Sequence, residues 1–432
     1  MGDKDMRKLT VNGRYLVWED GEPFFYLGDT AWELLHALNR EEMEYYFEQR
    51  ARQGFNAVQT VALAELDGTA GPNAYGRQPL LYTEDAPDPA KPDTEGEYSY
   101  WDHVDFAVDT AAQYGIFIVL LPTWGDKFNV KWGKGPEIFT PENAYSYGKW
   151  IAARYAEKEN IIWMLGGDRP LETPLHRTII DEMARGILEA DKNHLVTFHP
   201  CGASRSTDWV GDAPYIDFHT AQTGHDTSMS YRSDEIMLEM ASASDKPYLD
   251  SESRYEDHPA CFDASLGYYW DAADMRQNAY WNLMTGVCGQ TYGNHCIWSM
   301  TRQPTDYFPF KWDEALLHIG AEQFAHLGKL RLSRDFASFR HAPELIAENF
   351  GGMGHMTAAR GDGYGYVYSP LGVPFTVNLE AFAGAKRLRA SWFDPRTGEE
   401  KVFGVLPAAG KTLVVPPSQG KGCDWVLVLE EV

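Results

Sequence analysis

Eight short apolar runs recur along the first 330 residues of the chain, and most of them are followed by a stretch with helical composition. The runs are continuous rather than alternating, which is typical of strands buried on both faces, as in a parallel sheet. Eight strand-plus-helix units in about 300 residues predict a (β/α)8 TIM barrel. An open doubly wound sheet is the alternative, but no G-x-G-x-x-G motif follows the first run. The runs occupy residues 23–30, 55–63, 116–123, 161–168, 194–201, 215–222, 246–253 and 288–299.

The segments between the apolar runs carry the periodicity and end signals of helices. Thr140 is placed as the N-cap of one helix, with Pro141 at its first helical position. Only a short connection follows the fifth run. The helices are predicted at residues 40–54, 101–115, 140–160, 176–193, 233–244, 270–286 and 312–328.

Three other segments have a different character. Residues 9–24 resemble a small hairpin that could cover the bottom of the barrel. Residues 64–99 form the longest stretch without an evident element, and they would sit at the active-site face. Residues 331–432 contain short strands broken by Gly and Pro, which predicts a C-terminal β-sandwich domain after a catalytic domain at 1–330.

Composition and charge limit the partners. The net charge of −25 disfavours a nucleic-acid backbone or an anionic membrane as partner. No apolar run reaches the ~18 residues of a membrane span, and the N-terminus lacks the apolar region of a signal peptide. The five cysteines include no CxxC pair, which fits a reducing compartment and argues against a zinc knuckle. We therefore expect a cytoplasmic protein with no cofactor.

Polar and aromatic residues cluster at or after the ends of the predicted strands, which share one cleft in a barrel. Carboxylates and amides bond sugar hydroxyls, and Trp and Tyr offer flat faces to sugar rings. The set therefore favours a hydroxyl-rich ligand. Its members are Asp29, Gln59, Trp124, Asp126, Asp168, His199, His219, Gln222, Asp250, Glu252, Tyr292, Asn294, His295 and Trp298.

Two of these carboxylates, Asp168 and Glu252, follow the fourth and seventh strands, on roughly opposite sides of the predicted barrel. Glycoside hydrolysis needs such a pair, ~5–5.5 Å apart for retention and ~6.5–9.5 Å apart for inversion of configuration. Asp250 and Glu252 point to the same side under strand alternation, and Glu252 is favoured because it lies nearer the strand end.

Plainer structural roles stand beside these assignments. Asp168 could be a helix N-cap, although "GGDRP" places two glycines and a proline around it. His199 and His219 could be core histidines, and Trp124 or Trp298 could be ordinary core residues. A metal site is disfavoured because the H-x-H pair of many barrel metallohydrolases is missing from the first strand, where "YLGDT" stands.

Several long segments resemble the apiosidase-like glycoside hydrolases of family 140, in the expected order along the chain. The tail is similar to the collagen-binding-type β-domain often attached to them. The matching segments are 12–59, "ENIIWMLGGDRP", "YLDSESRYE" and "NAYWNLMTGVCGQTYGNHCIWS", with "SWFDPRTGE" and "KGCDWVLVLE" in the tail.

The resemblance implies a retaining barrel enzyme with its acid/base after the fourth strand and its nucleophile after the seventh. The wider superfamily usually carries an Asn-Glu pair after the fourth strand. This chain has Gly167-Asp168 at that position, as in the apiosidase-like pattern. Asp168 is then the acid/base and Glu252 the nucleophile, acting on an apiosylated plant glycan or glycoside. The remaining predicted sugar contacts are Asp29, Gln59, Trp124, His199, His219, Gln222, Tyr292 and Trp298.

Two other functions remain open at this level. The appended β-domain and the aromatic lining are also typical of a non-catalytic glycan- or matrix-binding protein. His199, His219 and nearby acids could instead serve a barrel metallohydrolase.

Overall fold

The computed structural model describes residues 6–66, 68–225, 232–382 and 384–432, and it confirms the predicted barrel. Neighbouring barrel strands pair in parallel from the fifth through the first to the eighth and on to the sixth. The eight strands, in chain order, are Tyr26–Thr30, Ala57–Val61, Phe117–Leu121, Ile161–Gly166, Val196–His199, His219–Gln222, Tyr248–Glu252 and Gly289–Tyr292.

Among the described residues, the fifth and sixth strands are joined by a backbone bond from Asp217 N to Val196 O and by bonds from two threonine side chains, without a regular ladder. Thr197 Oγ1 donates to the carbonyl of Phe218 at 2.6 Å, and Thr220 Oγ1 donates to that of Phe198 at 2.5 Å. Buried hydroxyls need such partners, so the two threonines satisfy themselves and join the two strands.

Helices surround the barrel close to the predicted positions. The predicted cap is confirmed, because the Thr140 side chain accepts from the backbone N–H of Asn143 and Pro141 opens the helix. The main helices are Arg40–Arg52, Tyr100–Gln113, Pro141–Tyr155, Pro174–Ala190, Ser233–Ala243, Ala272–Leu283 and Ile319–Leu332, with short helices at Leu34–Ala37, Ser206–Val210, His295–Trp298 and Trp312–Ala315.

Four sequence-based assignments were wrong in detail. The eighth run ends as a strand at Tyr292, since the side chain of Asn294 caps a short helix by accepting from Cys296 N–H. The predicted helix 312–328 is two helices, and the connection after the fifth strand contains the short strand Ser204–Arg205 and a helix. The segment 64–99 contains the hairpin Leu80–Thr83 with Ala86–Pro92, whose prolines are tolerated in an isolated two-stranded ribbon.

The N-terminal segment packs against the bottom of the barrel. Its three antiparallel strands are Leu9–Asn12, Tyr15–Trp18 and Pro23–Phe24. The rings of Trp18 and Phe24 lie 5.9 and 5.8 Å from that of Phe117, the first residue of the third barrel strand. The opposite end of the barrel is thereby left for the cleft.

The C-terminal part is all-β. A six-stranded antiparallel sheet carries a two-stranded sheet formed by Phe375–Asn378 and Lys411–Val414. None of the helices in the described part of the chain combines the length and apolar character of a membrane crossing. The strands of the larger sheet are Arg340–His341, Thr357–Gly361, Tyr364–Ser369, Arg387–Asp394, Glu399–Pro407 and Trp425–Glu431.

The β-sheet is joined to the barrel helix Ala272–Leu283 by stacking and by a buried ion pair. Tyr280 stacks on Tyr368 with ring centroids 5.1 Å apart. Arg276 holds Asp424 through Nη2 to Oδ1 at 2.6 Å and Nε to Oδ2 at 3.0 Å, and both side chains are buried. Removing one partner of such a pair leaves an uncompensated buried charge.

We therefore expect Asp424→Asn to lower the free energy of unfolding by about 3–5 kcal/mol. Urea denaturation followed by circular dichroism measures this change. Glu399→Gln is the matched control, because Glu399 is an exposed carboxylate of the same sheet that pairs with the exposed Lys401. Equal urea midpoints for the two variants would show that the ion pair does not hold the two parts together.

Candidate active site

A cleft of about 750 Å³ opens at the carboxyl end of the barrel strands. Both predicted catalytic carboxylates, Asp168 and Glu252, line it. Its other lining residues include Trp32, Glu65, Trp124, Trp132, Cys201, Gln222, His225, Tyr255, His258, Phe262, His295, Trp298 and Tyr307.

A turn of three left-handed residues places Asp168 at the cleft. Gly166, Gly167 and Asp168 have φ values of 91°, 108° and 56°. A Cβ on Gly166 would lie 2.3 Å from the carbonyl oxygen of His199, and one on Gly167 would lie 2.7 Å from the amide of Gly125. Only glycine fits these two positions, and a non-glycine residue with positive φ at the third indicates functional strain.

The carboxyl group of Asp168 accepts from two donors, and Glu252 is the acidic neighbour with the largest effect on it. Its Oδ2 accepts from Trp132 Nε1 at 3.0 Å and from Arg169 Nη1 at 2.8 Å. Burial raises the pKa of Asp168 and the negative charge of Glu252 raises it further, while Arg169 and Trp132 act in the opposite direction. The net effect is a raised pKa, which suits a group that must hold a proton.

The surroundings of Glu252, in contrast, favour its ionised form. Its Oε1 accepts from His225 Nε2 at 2.8 Å and from the hydroxyl of Tyr255 at 2.7 Å. His199 Nε2 lies 3.0 Å from Oε2, within ion-pair distance, but the angle is not that of a hydrogen bond. Burial by itself would raise the pKa of Glu252, yet His199 and His225 outweigh it and the pKa is lowered.

Asp250, the other carboxylate of the seventh strand, lies behind the cleft. Its Oδ2 accepts from the amides of Asn282 at 2.9 Å and Gln290 at 3.3 Å, and Thr223 also donates to it. Burial raises the pKa of Asp250 to about 6, although these bonds lower it in part. This is the buried structural neighbour expected beside Glu252.

The structure brings Trp124, Gln222 and Trp298 of the predicted sugar contacts to the cleft. His199 lies directly behind the lining, with its ring 5.2 Å from that of Trp32 and 5.7 Å from that of Trp124. These aromatic rings and His199 form one side of the cleft, next to Glu252.

The other four predicted sugar contacts lie elsewhere in the barrel. Asp29 points to the helix layer, where Arg50 Nε lies 2.6 Å from Oδ2, because successive side chains of a strand alternate faces. The remaining three are buried and paired: Gln59 donates to Ser251 O, His219 bonds Ser206 and Tyr292 donates to Glu256. As sugar contacts these four are not supported by the geometry.

Several lining residues were missed by the sequence reasoning. Trp32 and Glu65 follow the first and second strands closely, so the rule of strand ends could have identified them. Trp132 and Tyr307 stand in long connections, and His258 lies in the loop after the seventh strand. No local pattern marks these three residues.

The histidines of the cleft form a row. The rings of His225 and His258 stack 4.9 Å apart, and His258 meets His295 at 4.4 Å. Burial lowers the pKa of His258 to about 3, with His225 adding to the effect, and burial lowers that of His295 as well. Both rings are therefore neutral near pH 7 and act as hydrogen-bond partners rather than as charges.

Some buried polar atoms of lining residues lack a hydrogen-bond partner within the described residues. They are Trp124 Nε1, Gln222 Oε1, His225 Nδ1, Glu252 Oε2 and His295 Nε2. Such groups are costly to bury unpaired, so they indicate where ligand hydroxyls could bind. Among the described residues, no group of three or more His, Cys, Asp or Glu side chains has the arrangement to hold a metal ion.

Comparisons with known proteins agree with this geometry. Residues 10–338 match the family model "Apiosidase-like, catalytic domain", and residues 342–430 match a model named for the collagen-binding domain of a collagenase. A solved structure described as a glycoside hydrolase is 30% identical, with a TM-score of 0.88 over 99% of this chain and 98% of that one.

Another solved structure, described as a family 5 glycoside hydrolase from Bacteroides vulgatus, is 31% identical, with a TM-score of 0.86 over 98% of this chain and 93% of that one. The comparison with curated proteins gave no match. The family match and both structural relatives cover the barrel and its cleft, and the chain belongs to the apiosidase-like glycoside hydrolases.

Proposed function

We propose that this protein is a retaining, exo-acting glycosidase that releases terminal apiose from plant glycans or plant glycosides. The observation that carries the proposal is the contrast between two carboxyl groups in one cleft. Asp168 has a raised pKa and Glu252 a lowered one. A proton donor and an ionised nucleophile are what double displacement at a glycosidic bond requires.

In the first step Glu252 attacks the anomeric carbon and the glycosidic C–O bond breaks. The Asp168 proton passes to the departing oxygen, so the leaving group departs neutral. Oε2 is the attacking oxygen in this proposal, because Oε1 already accepts from His225 and Tyr255 whereas Oε2 has no hydrogen bond to any described residue. The product is a glycosyl ester on Glu252.

In the second step Asp168 takes a proton from water, and the water oxygen attacks the anomeric carbon. The ester bond to Glu252 breaks, and the carboxylate and the protonated Asp168 are restored. The ester carries no charge, so the part of the raised pKa that Glu252 causes disappears at this stage. Asp168 then gives up its proton more readily and is suited to act as the base.

The sugar and the exo mode are inferred from the family and from the cleft. Trp32, Trp124 and His199 contact each other through their rings and would bound a small terminal sugar. The unpaired atoms of Gln222 and His295 offer one acceptor and one ring nitrogen to its hydroxyls. A compact, hydroxyl-rich pentose such as apiose matches this arrangement.

Substitution of either carboxylate tests the catalytic assignment. Asp168→Asn should reduce turnover of a natural glycoside by about 10²- to 10⁴-fold. Its rate of bond cleavage should fall less on a dinitrophenyl apioside, whose leaving group needs little protonation. Glu252→Gln should abolish turnover of both substrates because no ester can form.

Glu172→Gln is the matched control, since Glu172 is an exposed carboxylate four residues after Asp168 and lies outside the cleft lining. Released sugar is measured together with thermal unfolding of each variant. Wild-type rates in both Asp168→Asn and Glu252→Gln would contradict the catalytic assignment, whereas binding of the glycoside by the wild type without release of sugar would favour a non-catalytic glycan-binding protein.

The pH profile tests the role of Asp168 separately. Trp132→Phe removes the N–H that stabilises the ionised form of Asp168, so the pKa of that carboxyl rises. The high-pH limb of kcat/KM should move to higher pH, because activity requires protonated Asp168. The low-pH limb, which reports ionisation of Glu252, should remain in place.

Trp298→Phe is the control for this shift, because Trp298 lines the cleft but donates to His295 instead of Asp168. The assignment of Asp168 fails if the high-pH limb stays fixed in Trp132→Phe, or if both variants move it equally.

Retention is tested by adding methanol to the reaction. A retaining enzyme transfers the sugar from Glu252 to methanol, and the methyl glycoside has the anomeric configuration of the substrate. NMR of that product gives the configuration directly, without interference from ring opening of the free sugar. A methyl glycoside of inverted configuration would contradict double displacement.

A further inference from the structure

We propose that the mouth of the cleft binds the leaving group as a flat, apolar and uncharged aglycone, held between Trp132 and Phe262. This inference rests on the proposed glycosidase function and adds the chemical class of the group that departs. Two exposed aromatic side chains carry it: Trp132 bonds Asp168, and Phe262 packs on His225, which is a hydrogen-bond partner of Glu252.

Trp132 lies on the leaving-group side because of its bond to the proposed acid. Its Nε1 donates to Asp168 Oδ2 at 3.0 Å, and Asp168 must touch the departing oxygen. The ring is 59% exposed, although it lines the cleft, and the buried guanidinium of Arg169 lies 4.7 Å from its centroid. The indole is therefore fixed in place and still offers surface to a ligand.

Phe262 is the second exposed aromatic of the cleft. It is 51% exposed, and its ring meets those of His258 and His225 at 4.8 and 5.9 Å. Cys261 and Phe262 have φ values of 62° and 57°, so two successive non-glycine residues are left-handed. Such strain is costly and persists mainly where the surrounding structure must present a side chain at a functional site.

Charge decides what kind of group fits between these rings. The described lining includes the carboxylates of Glu65, Asp168 and Glu252. The two cations at the Trp132 ring, Arg169 and Lys131, are already paired with carboxylates, Arg169 with Asp168 and Glu65 and Lys131 with Glu172. The whole chain carries a net charge of −25, so a polyanionic leaving group such as a polygalacturonate would be repelled.

A neutral sugar chain is also less suited to this mouth. A sugar leaving group would need hydrogen-bond partners around its ring, as well as a stacking face. Phe262 offers none, and the Nε1 of Trp132 is already used by Asp168. An aromatic or similarly flat apolar aglycone needs only the two ring faces.

The test uses 2-naphthol as the probe and isothermal titration calorimetry on the full chain. We expect 2-naphthol to bind the wild type. Phe262→Ala and Trp132→Ala should each weaken that binding about five- to tenfold, while Trp132→Phe retains most of it. Phe350→Ala is the control, because Phe350 is 42% exposed in the C-terminal part and lies outside the cleft lining.

Trigalacturonate and cellotriose are titrated as the two other leaving-group classes. The inference is overturned if Phe262→Ala and Trp132→Ala bind 2-naphthol like Phe350→Ala. It is also overturned if either trisaccharide binds more tightly than 2-naphthol and loses that binding in the same variants. These titrations do not require turnover, so absence of the binding site is distinguished from failure of the proposed glycosidase, which the Asp168 and Glu252 variants test separately.

Discussion

The turn that ends the fourth barrel strand is the constraint on which the cleft depends. The amide of Gly167 donates to the carbonyl of His199 at 3.1 Å, and the amide of Gly125 donates to the carbonyl of Gly167 at 3.0 Å. The ends of the third, fourth and fifth strands therefore meet within one turn. The backbones approach so closely that a Cβ on Gly166 or Gly167 would collide with them. The backbone of Asp168 is consequently held at the cleft by the framework, and Trp132 and Arg169 hold its carboxyl group.

The second constraint on the cleft is the electrostatic interaction between Asp168 and Glu252. Asp168 and Glu252 share a cleft, so one favours the proton and the other stays ionised. Burial raises the pKa of Asp168, with the charge of Glu252 adding to it, whereas His199 and His225 reverse the effect of burial at Glu252. The two carboxyl groups are therefore distinguished by their surroundings, since their chemistry is nearly the same. A ligand that neutralises the charge of Glu252 therefore also lowers the pKa of Asp168.

Sequence reasoning recovered the barrel, and it placed Asp168, Glu252, Trp124, Gln222 and Trp298 at strand ends that do line the cleft. The same rule misplaced Asp29 and Tyr292, because it identifies the end of a strand but not the face to which a side chain points. Adjacent residues of a strand point to opposite faces, one toward the barrel interior and the other toward the surrounding helices. Asp29 points outward to Arg50, and Tyr292 bonds Glu256. The catalytic assignment itself remains a proposal.

The sequence by itself determined the architecture, since continuous apolar runs separated by helical periods fold as a parallel barrel, and the glycines before Asp168 are a local requirement of the backbone. The tertiary structure decided the rest. His225 is 27 residues from Glu252 along the chain and Trp132 is 36 residues from Asp168, and only folding brings them together. A pKa depends on burial and on charges within a few ångströms, and these are properties of the fold, which no short segment carries alone.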